Sequence, residues 1–254
     1  MDKILSKHNK NVKEWQKLKT SKGQKKENSY IIETWHLVEE AINYNQEIEL
    51  ILVTEEKYNF FKEKINDFNV TIISEEVANS ISSTVTNQGI FAICKISYNY
   101  FEVDTDFKGG WILLDNVQDP GNIGTIVRTA DAAGLKGVVF GEGTANMYND
   151  KVLRSMQGSQ YHVKLVNSSI EKVIEEFKEH EINVYGTELN PDAYDYTQIK
   201  PTEDFALIMG NEGNGMRDNL IKSTDKNLYI PIKGSAESLN VAIAAALIMF
   251  KIKK

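Results

Sequence analysis

The sequence predicts an α/β protein whose second half is built on a parallel sheet and whose first half is a smaller α/β domain. Short apolar runs alternate with helical segments along most of the chain, as in βαβ units. In the second half, three loops rich in glycine and polar residues follow apolar runs, within residues 114–134, 208–216 and 229–240. Because open α/β sheets bind ligands beyond the carboxyl ends of their strands, we expect these loops to form one composite site.

A lysine-rich arm covers residues 1–28, and the first domain covers residues 29–97. The pattern there predicts strands at 30–33, 48–53, 70–73 and 90–96, helices at 34–44 and 74–80, and a helix that opens at residues 54–56. This alternation predicts a domain of three layers. Residues 98–110, which contain Tyr, Asn, Asp and a Gly-Gly pair, are the expected linker.

The second domain covers residues 111–254 and alternates in the same way. Its pattern predicts strands at 111–115, 137–140, 182–185, 206–209 and 228–230, and helices at 123–133, 150–156, 170–178 and 238–252. Helices between successive strands favour a parallel sheet. The helix at 123–133 carries one arginine, Arg128, whose apolar neighbours suggest a buried position.

The composition is that of a globular protein, with 41% hydrophobic and 26% charged residues in a chain of 254. The single cysteine, Cys94, excludes an intrachain disulfide and most cysteine-based metal sites. The longest apolar run, at 241–250, is shorter than the roughly 18 residues of a membrane-spanning helix. The first ten residues lack the apolar core of a signal peptide. We therefore expect a cytoplasmic protein with no membrane segment.

Charge is distributed unevenly along the chain. Residues 1–27 hold nine lysines against three acids, a net charge of +6, whereas the remaining residues hold 20 basic and 33 acidic side chains, a net charge of −13. A basic arm on an acidic body is typical of a protein that binds a polyanion. A solvated helix face in a lysine-rich protein would give the same pattern, so this feature leaves both interpretations open.

Several common chemistries lack their sequence signals. No G-x-x-x-x-G-K-[ST] segment occurs, which argues against a P-loop. The segment Gly141-Glu142-Gly143 begins like a dinucleotide fingerprint but lacks the third glycine. The four histidines have neither metal-ligand spacing nor an evident nucleophile partner. We therefore expect no metal site and no Ser-His-Asp chemistry.

Taken singly, the three loops are ambiguous. The glycines at 210–215 would let a ligand approach the backbone closely, but such a loop read alone is more often a tight turn than a site. Glu212 favours a site, because it is a carboxylate in a loop directly after a buried strand. Asn122 and Ser238 could each be no more than the cap of the helix that follows.

Together the loops resemble the three motifs of the SpoU (TrmH-like) family of RNA ribose 2′-O-methyltransferases, in the SPOUT superfamily. The motifs occur in order within residues 111–250 as Asn122-x-Gly124-x-x-x-Arg128-Thr129-Ala130, Gly210-Asn211-Glu212-Gly213, and Ile230-Pro231-Ile232 with Ser238-Leu239-Asn240. Residues 30–42 resemble the start of the family's L30e-like substrate-binding domain. The family's usual Glu-Gly pair is Glu33-Thr34 here, a departure that concerns the accessory domain.

The resemblance implies a C-terminal α/β trefoil knot that binds S-adenosylmethionine chiefly through backbone groups. By motif position, the residues that contact the cofactor are Gly210, Ile230 and Leu239, with Thr187 as a weaker candidate. The resemblance also implies a homodimer formed through the knot domains. The alanine-rich segment 241–250 is compatible with such an interface and equally with an ordinary core helix.

The implied catalytic residues are Asn122, Arg128, Glu212, Ser238 and Asn240. Family models place Arg128 at the ribose hydroxyl, sometimes as the general base, and a second possible role is a clamp on the adjacent RNA phosphate. A guanidinium is a poor base because its pKa exceeds about 12, so the clamp is the preferred role. Asn122 would bind the ribose or orient Arg128, and Glu212 would hold Arg128 or a backbone amide. Ser238 and Asn240 would bridge the cofactor loop and the arginine.

Lys151 and Arg154 are expected to contact RNA phosphates, although a plain exposed helix face would explain them as well. Ribosomal RNA of the large subunit is the preferred substrate, with transfer RNA as the alternative. Two further alternatives are an inactive RNA-binding member of the family and a dinucleotide-dependent oxidoreductase. The full set of motif residues argues against the first, and the missing third glycine argues against the second.

Overall fold

The computed structural model describes residues 2–97 and 106–254, which form two compact units. One unit contains residues 2–97 and 148–161, and we call it the N-terminal unit. The other contains residues 106–147 and 162–254, and we call it the C-terminal unit. Of the expected linker, residues 98–105 lie outside the described residues, and Gly110 already belongs to a strand.

The helices and strands alternate along the chain, as the sequence predicts. The strands are β1 (Asp2–Ile4), β2 (Ser29–Glu33), β3 (Ile48–Thr54), β4 (Val70–Ile73), β5 (Ile90–Lys95), β6 (Gly110–Leu114), β7 (Gly137–Phe140), β8 (Lys164–Asn167), β9 (Val184–Thr187), β10 (Tyr194–Asp195), β11 (Phe205–Met209) and β12 (Lys226–Tyr229). The helices are α1 (Lys10–Lys17), α2 (Ser21–Glu27), α3 (Trp35–Asn43), α4 (Glu55–Ile65), α5 (Glu75–Ile81), α6 (Pro120–Ala132), α7 (Asp150–Met156), α8 (Ile170–Glu179), α9 (Asp218–Ser223) and α10 (Val241–Ile252). Within the described residues, no helix is long and apolar enough to cross a membrane.

The N-terminal unit has a mixed five-stranded sheet in the order β1-β4-β3-β5-β2. The pairs β1/β4 and β3/β4 are parallel, and β5 runs antiparallel to both β3 and β2. One face of this sheet packs against α1 and α5 around a shared apolar core that includes Trp15, Val77 and Phe91. The predicted alternation of helices and strands in this half is thus confirmed.

Residues 2–27 are not a separate basic arm, which corrects the expectation from charge. β1 pairs with β4, and α1 buries Val12 and Trp15 in the core of the N-terminal unit. The lysines of α1 lie on its outer face, with Lys10, Lys13 and Lys17 exposed. The sequence analysis did not recognise the amphipathic pattern of α1, because its buried positions are few and widely spaced among the lysines.

The expected boundary of the second domain is also wrong at one place. Residues 148–161, which include α7, belong to the N-terminal unit although their neighbours in sequence do not. The ring of Tyr148 packs on that of Tyr30 with centroids 4.8 Å apart. Arg154 Nη1 lies 2.9 Å from Glu33 Oε1, so an ion pair fixes α7 beside β2. No periodicity of the sequence indicates that residues 148–161 belong to the N-terminal unit.

The C-terminal unit has a seven-stranded sheet in the order β10-β12-β9-β11-β6-β7-β8, and every pair in it is parallel. The parallel sheet predicted for this half is therefore confirmed, although β8 and β10 were not predicted. Its central strands β6 and β11 are fully buried. Trp111, Phe177 and Ile208 belong to the apolar core that covers one face of the sheet. This core fixes the ends of β6 and β11 side by side, where the polar loops begin.

Candidate active site

Three loops of the C-terminal unit leave the sheet at the carboxyl ends of parallel strands. They follow β6, β11 and β12, at residues 115–119, 210–217 and 230–240. β11 lies next to β6, and only β9 separates it from β12. This is the edge at which open α/β sheets bind ligands. The arrangement matches the composite site that the sequence predicts.

The loop after β11 is closed on itself by two backbone hydrogen bonds. Asn211 and Gly215 each donate a backbone N–H to the other's carbonyl oxygen, both at 2.9 Å. The side-chain oxygen of Asn211 accepts from the amides of Gly213 and Asn214. At Gly210 an added Cβ would lie 2.3 Å from backbone atoms of Gly215 and Met216. Only glycine therefore fits at the entrance of this loop.

The carboxylate of Glu212 joins the loop after β11 to the loop after β6. One oxygen accepts from the amide of Asp119 at 3.0 Å and from Asn122 Nδ2 at 3.0 Å, and the other accepts from the amide of Gln118 at 3.2 Å. Partial burial raises the pKa of the Glu212 carboxyl, but these hydrogen bonds outweigh burial and lower the pKa overall. Because the pKa is lowered, the stability that these hydrogen bonds contribute is fully present at pH values above the usual glutamate pKa. It is lost as pH falls through the lowered pKa.

Asn122 extends this connection to the third loop. Its Oδ1 accepts from Asn240 Nδ2 at 2.9 Å, and Asn240 Oδ1 in turn accepts from the amides of Ala242 and Ile243. The expectation that Asn122 or Ser238 could be a simple helix cap is wrong. Asp119 caps α6, and Asn240 caps α10. We call the hydrogen-bonded chain Glu212–Asn122–Asn240 the polar relay.

An ion pair with a buried carboxylate fixes the far end of the loop after β11, and sequence reasoning missed it. Asp115 is fully buried at the end of β6 and accepts from the amide and Nε of Arg217 at 2.9 and 2.7 Å. Arg217 Nη1 also pairs with Glu171 at 2.9 Å. The available signal was an apolar strand that ends in an acid. A buried carboxylate needs such partners, because an unpaired one would be strongly destabilising.

An open cavity of about 480 Å³ lies against these loops in the C-terminal unit. Six residues chosen from the sequence line it: Thr187, Gly210, Glu212, Ile230, Ser238 and Leu239. The Thr187 hydroxyl donates to the carbonyl of Ile208 at 3.0 Å, so this side chain is already engaged within the sheet. A cavity of this size at the edge of a parallel sheet is typical of sites for small molecules and cofactors.

Arg128 and Asn240 do not line the cavity, although they belong to the same motifs. Arg128 is exposed on α6, which corrects the buried position suggested by its neighbours. Within residues 2–97 and 106–254 its guanidinium forms no hydrogen bond or ion pair that would occupy it. Glu212 does not contact Arg128 but holds the backbone amides of Gln118 and Asp119, which is the second of its two expected roles. Asn240 does not reach Arg128 either, since its side chain bonds Asn122 and caps α10.

The two expected RNA contacts differ from each other. Lys151 is exposed and remains available. Arg154 Nη1 instead pairs with Glu33 at 2.9 Å and with Asp150 at 3.3 Å, and its side chain is only 24% exposed. A phosphate would have to displace these carboxylates, so the geometry speaks against Arg154 as a phosphate contact.

A parallel sheet with a cavity at its edge is typical of α/β proteins that bind a small molecule or cofactor, and comparison with known proteins specifies the class. The model of the SpoU rRNA Methylase family matches residues 111–250, and the model of the MRM3-like substrate binding domain matches residues 9–92. The chain belongs to the SpoU rRNA methylase family. It is an S-adenosylmethionine-dependent RNA methyltransferase, which excludes the oxidoreductase alternative.

The similarity to known proteins extends along the whole chain. A curated relative from Bacillus subtilis (strain 168), the 23S rRNA (guanosine(2553)-2′-O)-methyltransferase RlmP, is 42% identical over 253 residues and is covered over 100% of both chains. The crystal structure of an rRNA methyltransferase from Sinorhizobium meliloti has a TM-score of 0.89 at 26% identity, covering 98% of this chain and 96% of that one. The AdoMet-bound structure of an rRNA methyltransferase from the same organism has a TM-score of 0.86 at 27% identity, with the same coverage.

The residues of the cavity fit this cofactor. Gly213 and Gly215 line the cavity without side chains, so backbone groups of the loop after β11 are accessible to a ligand. Ile230 and Leu239 supply apolar surface for a flat base, and Glu188 and Glu237 border the cavity with negative charge that suits a cationic sulfonium. The lining thus combines apolar contact, accessible backbone and acidic side chains.

We predict that Gly210→Ala weakens the binding of S-adenosylhomocysteine by on the order of tenfold or more, since the added methyl must push the loop out of place. Isothermal calorimetry on the full chain measures this. Gly234→Ala is the matched control, because a Cβ there meets nothing within 4 Å. Equal affinity of the two variants would show that the shape of the loop does not control the cofactor site.

Proposed function

We propose that the protein methylates a ribose 2′-hydroxyl of 23S ribosomal RNA. The observation that carries this proposal is the polar relay, which joins the three motif loops beside one cofactor-sized cavity. The choice of substrate is supported by the full-length similarity to the Bacillus subtilis enzyme, which is named for that reaction on guanosine 2553 of 23S rRNA. Such a substrate would place the protein in the cytoplasm, where ribosomes assemble.

When bound, S-adenosylmethionine supplies a methyl group that its sulfonium already activates. The protein therefore has mainly to position the hydroxyl and to manage its proton. The backbone at Gly210, Ile230 and Leu239 would hold the cofactor. The polar relay would fix the loops that carry these residues, since each polar atom of the Asn122 side chain already has a partner within it.

Arg128 would act on the RNA. Its guanidinium is exposed and unpaired within the described part of the chain, so no internal partner competes for a phosphate. A guanidinium binds phosphate through two parallel hydrogen bonds and stabilises negative charge that develops on a neighbouring oxygen. A guanidinium is too weak a base to take the hydroxyl proton near neutral pH, so the proton would pass to water or to the phosphate.

We also propose that the chain forms a homodimer through its C-terminal unit, within the knotted topology implied by its motifs. On α10, Ile243, Leu247 and Phe250 are 51%, 41% and 61% exposed. Their spacing of four and three residues places them on one side of the helix. A stripe of large apolar side chains next to the cofactor loop suits an interface with a second copy of the same helix.

We expect Arg128→Ala to lower kcat/KM for methyl transfer by on the order of 100-fold or more, with cofactor affinity unchanged. Transfer of labelled methyl groups to an unmodified 23S rRNA transcript measures this. Lys178→Ala, which also removes an exposed cation, is the control and should keep full activity. Arg128→Lys should remain impaired, because an ammonium cannot form the two parallel bonds. Nearly full turnover in Arg128→Lys would contradict the clamp, and no label on 23S rRNA with the unaltered enzyme would contradict the substrate.

Leu247→Glu is expected to convert a dimer into a monomer, since it places a charge in the proposed apolar interface. Light scattering coupled to size exclusion distinguishes the two masses. Leu5→Glu, at a residue of the N-terminal unit that is 64% exposed, is the control and should leave the dimer intact. A monomeric unaltered protein, or a Leu247→Glu variant that stays dimeric, would rule out this interface.

A further inference from the structure

The N-terminal unit carries three aromatic rings in contact on the surface of α3 and α4. Trp35 and Phe61 stack with centroids 4.0 Å apart and planes 11° apart. Phe60 meets Phe61 edge to face, with centroids 4.8 Å apart and planes at 84°. We call these three residues the aromatic cluster. Its outermost member, Phe60, exposes 80% of its surface.

Packing explains the inner rings but not the outer one. Trp35 and Phe61 are half-buried and cover each other. Ile65 is the buried residue of α4, and Phe60 points away from that side. A single exposed apolar residue is common on protein surfaces and decides nothing alone. Phe60, however, contacts Phe61, which itself stacks on Trp35, so a flat ligand bound on Phe60 would extend an existing group of rings.

Two lysines flank the aromatic cluster at helical spacing. Lys57 lies three and four residues before Phe60 and Phe61, and Lys64 lies four and three residues after them. The four side chains therefore share one side of α4. Lys64 Nζ also lies 5.2 Å from the ring centroid of Trp35, within the range of a cation–π contact. Positive charge thus borders the rings along the helix and beside Trp35.

The present partners of these lysines are weakly held. Lys57 pairs with Glu56 at 2.8 Å, and Lys64 pairs with Glu39 at 2.5 Å. In the first pair the glutamate side chain is 77% exposed, and in the second the lysine is 61% exposed. Exposed ion pairs contribute little to stability, because solvent and salt screen them. A phosphate could therefore replace either glutamate at small cost.

The backbone before Trp35 is strained in a way that holds the ring. Thr34 has φ +90°, a conformation that a β-branched residue rarely adopts. The strain persists because the amide of Trp35 donates to Gln88 Oε1 at 3.0 Å and the amide of Thr34 donates to the carbonyl of Ile90 at 3.3 Å. Trp35 therefore begins α3 in a fixed position, which gives the aromatic cluster a rigid base.

We propose that the aromatic cluster binds an unpaired base of the RNA substrate, which stacks on Phe60 while Lys57 and Lys64 contact the flanking phosphates. This rests on the proposed function, which makes RNA the substrate. Alternating rings and cations match single-stranded RNA, which presents flat bases between phosphates. An apolar protein segment would match the rings but not the lysines. The cluster also lies within residues 9–92, the range that matches a substrate-binding domain.

The test measures binding of the full chain to a single-stranded oligoadenylate and to an unmodified 23S rRNA transcript, at fixed salt. Phe60→Ala and Phe60→Leu should weaken binding of both RNAs by on the order of tenfold, because neither residue stacks on a base. Phe60→Tyr should bind as the unaltered protein does. Leu5→Ala, which truncates another exposed apolar residue of the same unit, is the control. The proposal would be overturned if Phe60→Leu bound RNA as tightly as Phe60→Tyr does, or if Phe60→Ala bound it as tightly as the unaltered protein does.

A second arm separates the lysines from the ring. Lys64→Gln should reduce the slope of log affinity against log salt by about 1, whereas Phe60→Ala should leave the slope unchanged. Unchanged slopes in both variants would overturn the assignment of Lys64 to a phosphate. If the unaltered enzyme does not methylate 23S rRNA, the proposed function fails while the Phe60 binding comparison still stands or falls by itself.

Discussion

The carboxylate of Glu212 is the interaction on which the composite site depends. It accepts hydrogen bonds from two backbone amides of the loop after β6 and from the side chain of Asn122. Through Asn122 the connection reaches Asn240, which caps α10. Loops that leave three different strands are thereby held in one arrangement. A reaction that requires mainly positioning needs such rigidity in the loops more than it needs a strong acid or base.

A second constraint acts at the far end of the loop after β11. Asp115 and Arg217 join the end of β6 to the residue that follows the glycine-rich loop. This pair is buried at its acidic end, whereas Glu212 lies at the surface. The loop after β11 is thus fixed at its far end by an ion pair with a buried carboxylate and at its tip by an exposed carboxylate. Gly210 completes the constraint, because no other residue fits where the loop leaves the strand.

Sequence reasoning predicted the parts that local chemistry determines. The apolar strand ends and glycine-rich loops indicated the edge of a parallel sheet, and the motifs identified several of the residues that line the cavity. It failed for features that depend on contacts between residues far apart in the sequence. Nothing local shows that Val12 and Trp15 of a lysine-rich segment complete a distant core, or that α7 leaves its own unit. The partners of Asp115 and Glu212 lie about 90 to 100 residues away in sequence, so only the sheet order brings them together.

The most direct test is a double-mutant cycle between Glu212 and Asn240, which are linked through Asn122 in the polar relay. The binding free energy of S-adenosylhomocysteine would be measured for Glu212→Gln, Asn240→Ala and the double variant. If the polar relay organises the site, the effects are non-additive, with a coupling of about 0.5–3 kcal/mol. The same cycle between Glu212 and Glu237, which lines the cavity outside the relay, should be additive. Additivity for Glu212 and Asn240 within about 0.5 kcal/mol would contradict the account.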